Sequence, residues 1–128
     1  MFPFEAWRDA FLFTQLVEVP VYVLAMRHAL RTGWLERPRT LPFQALLAFG
    51  ASAITHPMVW YLIPNVASPY RSYTAYLITA ETFAVVVEAF YFYSFHAAWL
   101  GRAFVWSLLA NALSAGLGEL SRALFRWP

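Results

Sequence analysis

"LPFQALLAFGASAITHPMVWYLI", residues 41–63, decides the fold. The segment lies inside a run, Thr40 to Tyr70, that carries no charged side chain. As a helix it matches the hydrocarbon core of a bilayer, which takes about 20 apolar residues to cross. Its Leu, Ala, Phe and Ile do not alternate strictly with polar residues, which favours a helix over a barrel strand. Pro42 opens the segment and Pro64 closes it. Three further blocks read the same way: Ala10 to Met26, bracketed by Asp9 and Arg27, then Tyr73 to Phe95, then Arg102 to Leu120. The expected fold is all-α, an integral membrane four-helix up-down bundle. It forms a single transmembrane domain over residues 1–128, with spans at 10–26, 41–63, 73–95 and 102–120.

Composition agrees. The chain is 61% hydrophobic and 12% charged, with mean hydropathy +0.52, whereas a soluble domain carries about 25% charged residues. Trp7, Trp34, Trp60, Tyr61, Tyr70, Tyr73, Trp99 and Trp127 collect near the span ends, as expected of an interfacial aromatic belt. Glu5 and Asp9 flank the first block and Glu18 interrupts it, so it does not read as a signal peptide. The absence of cysteine excludes disulfides, thiolate metal sites and cysteine nucleophiles. The positive charges are nine arginines with no basic run, so nucleic acid is not an expected partner. The longest connection, "RHALRTGWLERPRT" at 27–40, suits the membrane surface. Arg27, Arg31, Arg37, Arg39 and Arg102 fall on one side, and Arg8, Arg71, Arg122 and Arg126 on the other. This split places both termini outside the cytoplasm of a bacterial-type plasma membrane.

The polar residues inside the spans point to function. They are Gln15 and Glu18, then Ser52, Thr55 and His56, then Glu81 and Glu88, and finally Ser107, Asn111 and Ser114. A charged side chain at the centre of a lone helix costs about 2.5–3.5 kcal/mol even on insertion scales. Three carboxyls should therefore face the bundle interior, where they are protonated or paired. Glu81 and Glu88, seven residues apart, share a helix face about 10 Å apart along the axis. Ser107, Asn111, Ser114 and Gly118 form a small polar stripe, with Phe104 and Leu108 expected to flank it. Depths in an up-down bundle put Glu18, His56, Glu81 and Asn111 in one layer and Glu88 toward the opposite face, where Arg102 or Tyr91 could pair with it. Pro20 and Pro57 free the carbonyls of Leu16 and Ala53, which could add to a cation or proton site.

The expected site is thus Glu18, His56, Glu81, Asn111 and Glu88, binding or passing a proton, a cation or a small cationic solute. Two alternatives stand beside it. Glu18, His56 and Glu81 could hold a divalent metal such as Zn, Mn or Fe in an intramembrane enzyme, although no H-E-x-x-H, serine–histidine or phosphate-loop motif is present. The bundle could also be an accessory subunit of a larger membrane complex. Four short helices enclose little space, so a homo-oligomer or a membrane-complex partner is expected along with the lipid bilayer.

Overall fold

A computed structural model describes residues 4–32 and 39–127. Trp34 and Arg37, part of the expected surface loop, lie outside the described residues. Helix α1 runs Phe4–Arg31, α2 Leu41–Tyr61, α3 Ile63–Val66, α4 Tyr73–Ser94 and α5 Leu100–Phe125. The four long helices are the expected spans, each apolar and long enough to cross a bilayer. No strand occurs among the described residues.

Boundaries follow local chemistry. Pro42 sits in the first turn of α2, where its missing N–H costs no hydrogen bond. Pro64 does not end the second span outright. It sits in the first turn of α3, a four-residue helix that continues the span to Val66. At the start of α4 the Ser72 hydroxyl accepts the Ala75 N–H at 3.2 Å, a side-chain cap. α5 ends at Arg126, whose φ of 56° is left-handed and stops the helix. α1 and α5 reach past the expected spans at both ends, because helix costs little to continue through the interfacial layer.

The spans pack in a ring. α1 packs on α2, α2 on α4, α4 on α5, and α5 back on α1, while the backbones of the diagonal pairs α1–α4 and α2–α5 stay apart. A square of antiparallel neighbours leaves a central axis that all four helices line. Pro20 and Pro57 lie within α1 and α2 as expected.

Burial is inverted relative to a soluble bundle. Leu16, Leu24, Leu46, Ile78 and Leu108 point outward. Glu18, Glu88, Ser52, Ser107 and Gln44 are among the most completely buried side chains. Lipid solvates leucine well and carboxyls badly, so the polar groups are the ones driven inward. In the half of the bundle away from the chain ends, Tyr22, Met26, Phe92, Ala89, Ala97 and Ala103 form a tight core with alanine at the close approaches. Gly50 allows one such approach, since a Cβ there would run into the Tyr91 hydroxyl.

Candidate functional site

Glu88 is the hub of the interior. Its side chain is 1% exposed and accepts hydrogen bonds from every other span. The Tyr22 hydroxyl donates from α1 and Thr55 Oγ1 from α2 at 2.7 Å. From α5, Asn111 Nδ2 donates at 2.8 Å and Ser107 Oγ at 3.4 Å. All four donors are neutral. An intramolecular hydrogen bond contributes about 0.5–1.5 kcal/mol, so four of them orient the four helices about one residue. Glu88 was expected to look to Arg102 or Tyr91. It turns to Tyr22, Thr55, Ser107 and Asn111 instead, because donors from the three other spans meet it in the bundle interior.

Glu18 makes a second, smaller node. It accepts from the Ser52 hydroxyl of α2 and from Ser114 Oγ of α5 at 2.6 Å. Its node thus joins α1 to both its neighbours. Gln15, one turn earlier, does not join it. Its amide reaches the Phe49 carbonyl at 3.4 Å.

One cavity of about 140 Å³ touches all five expected site residues, Glu18, His56, Glu81, Glu88 and Asn111. Along α4 its wall is formed by Tyr73, Tyr76, Leu77, Ala80, Glu81, Ala84 and Glu88, a three-and-four spacing that keeps one face inward over about 22 Å. It begins at the end of the bundle holding Tyr73, Glu119 and Arg122 and ends at Glu88 and Asn111. Past that floor, the Tyr22 and Phe92 rings, both fully buried, pack tilted against each other with centroids 4.4 Å apart. The cavity is therefore a blind vestibule, about half a membrane deep.

Inside it, the side chains differ in how well they are satisfied. Glu81 lines the wall and accepts no hydrogen bond from any described residue. His56 is 9% exposed, packed against Trp7, Phe11 and Trp60 with ring centroids 5.3–6.1 Å away. Its Nδ1 is buried without a hydrogen-bond partner among the described residues. At the mouth, Arg122 bonds the Tyr73 hydroxyl at 3.1 Å and Glu119 at 3.3 Å.

The expected single layer therefore divides. Asn111 belongs with Glu88, Glu18 with the serines, and Glu81 and His56 stand on the cavity wall with neither. The three-ligand metal set Glu18, His56 and Glu81 is not assembled, and no group of three His, Asp or Glu side chains suited to a metal exists among the described residues. Glu18 is turned to Ser52 and Ser114, and His56 is wedged between aromatic rings. The carbonyls facing Pro20 and Pro57 contribute nothing to the cavity either, since Leu16 and Ala53 are not in its lining. Thr14, Tyr76 and Trp60, which line it, carried no signal beyond being polar or aromatic at span positions.

Comparison with protein-family models, curated proteins and solved structures finds no match to this chain.

Proposed function

We propose that this membrane protein binds cations in the vestibule, with Glu81 as the carboxyl that holds them. The observation that supports this reading is the contrast between Glu81 and its neighbours. Glu18 and Glu88 have hydroxyl and amide donors to themselves. Glu81 sits within a span at the wall of the same cavity and has none. A carboxyl at membrane depth without donors calls for a proton or another cation. Glu18 and Glu88 do not compete for the ligand, since hydroxyl and amide groups occupy their oxygens. Arg122, the arginine in the lining, stands at the mouth and is engaged by Glu119 and Tyr73. The closed floor favours binding with access from one face over an open pore. On the arginine split, that face is the non-cytoplasmic side of a bacterial-type plasma membrane.

The test is thermal stabilisation of the purified full chain by a panel of cations: sodium, potassium, magnesium, ammonium and organic ammonium salts. It is run on the wild type, Glu81→Gln and Glu18→Gln. Saturable stabilisation by at least one cation, lost in Glu81→Gln, is expected. Equal response of the wild type and Glu81→Gln to every cation would end this reading in favour of an accessory subunit.

A further inference from the structure

We propose that the ligand of this cavity is a small protonated amine, a monovalent organic cation with an apolar body. The inference rests on the reading of the cavity as a cation site and narrows it to a chemical class.

Size comes first. The cavity volume, about 140 Å³, is close to the ~150 Å³ of an engineered protein cavity that holds one benzene. A bare ion would leave most of that space to water, while a body of about six to eight non-hydrogen atoms would fill it. The walls then select the body. Phe13, Trp60, Tyr73 and Tyr76 contribute ring surface to the cavity, and aromatic faces attract a cation within about 6 Å of the centroid. They pack equally well against hydrocarbon.

Acceptors select the head. A primary ammonium has three N–H donors and no acceptor. The wall offers it the Glu81 carboxyl, which has no donor of its own among the described residues. A divalent metal fits poorly. It demands several converging oxygen or nitrogen ligands, and no three such side chains meet.

The experiment titrates the full chain in lipid nanodiscs with benzylammonium, and with benzyl alcohol as a neutral molecule of the same shape. Potassium and magnesium chloride serve as inorganic controls. Calorimetry gives affinity, and tryptophan fluorescence reports on Trp60 at the wall. Benzylammonium should bind saturably and at least about tenfold tighter than benzyl alcohol, a difference of ~1.4 kcal/mol. Glu81→Gln should erase that preference, and Trp60→Leu should weaken benzylammonium by about threefold to thirtyfold. The comparison of charged and neutral probes on the wild type stands even if a variant fails to fold. Equal affinity for the two probes, or full retention of amine binding in Glu81→Gln, would overturn the proposal. Glu81-dependent binding of potassium or magnesium with no response to benzylammonium would overturn the amine class and leave the cation reading standing. No Glu81-dependent binding of any probe would remove both.

Discussion

At the scale of single residues, the three buried carboxyls have different work. Glu88 holds helices together, and removing its acceptor oxygens strands Tyr22, Thr55 and Asn111 as buried donors. A buried donor left unsatisfied costs about 1–3 kcal/mol, so Glu88→Leu should lower stability by at least that much in a detergent unfolding titration. Glu88→Gln should fall between, because its amide would place one N–H₂ among groups that already donate. Tyr22→Phe keeps the ring contact with Phe92 and loses the hydroxyl's bonds to Glu88 and Ser107, for about 1–2 kcal/mol. Glu81→Gln should shift stability by less than about 1 kcal/mol, since no bond to a described residue is lost. The ordering of Glu88→Leu far below Glu81→Gln is the measurable claim. Equal stability for the two would mean that the Glu88 cluster does not hold the bundle.

At the scale of helices, the stripe on α5 shows what spacing can and cannot say. Ser107, Asn111, Ser114 and Gly118 are all buried as expected, but Leu108 faces lipid at 58% exposure. Gly118 reads from sequence as a close helix contact. A Cβ there would meet only the Phe13 ring, at 3.8 Å, an ordinary contact, and Gly118 lines the vestibule. Gly118→Ala should therefore leave stability within about 0.5 kcal/mol. Gly118→Leu should fold and abolish cation binding, because its branched end would enter the cavity. Loss of folding together with binding would return Gly118 to a packing role. The same distinction marks the limit of the sequence. Span positions and inward faces were legible, because hydropathy and the 3.6-residue period depend on each helix alone. The partition of donors between Glu18 and Glu88 was not. It depends on the rotation and axial offset of neighbouring helices, which moved Asn111 from the expected His56–Glu81 layer to Glu88. The isolation of Glu81 was hidden for the same reason, since a missing partner has no pattern in one sequence.

At the scale of the whole molecule, the bundle is divided along its axis. One half is the vestibule, with carboxyls, aromatic rings and a mouth at the chain ends. The other is packed with alanine, Tyr22, Met26 and Phe92. Such asymmetry gives a ligand access from one membrane face, and the chain, having no native cysteine, is suited to testing it. Single cysteines would be placed at Ala115, on the vestibule wall, and at Ala103, fully buried in the packed half. A trimethylammonium methanethiosulfonate reagent, which does not cross membranes, would be added from one side of oriented vesicles at a time. Ala115→Cys should react only from the side bearing the termini, and benzylammonium should slow the reaction. Ala103→Cys should resist from both sides. Reaction of Ala115→Cys from both sides would show that Tyr22 and Phe92 do not close the floor. The protein would then be better described as a passage through the membrane than as a one-sided binding site.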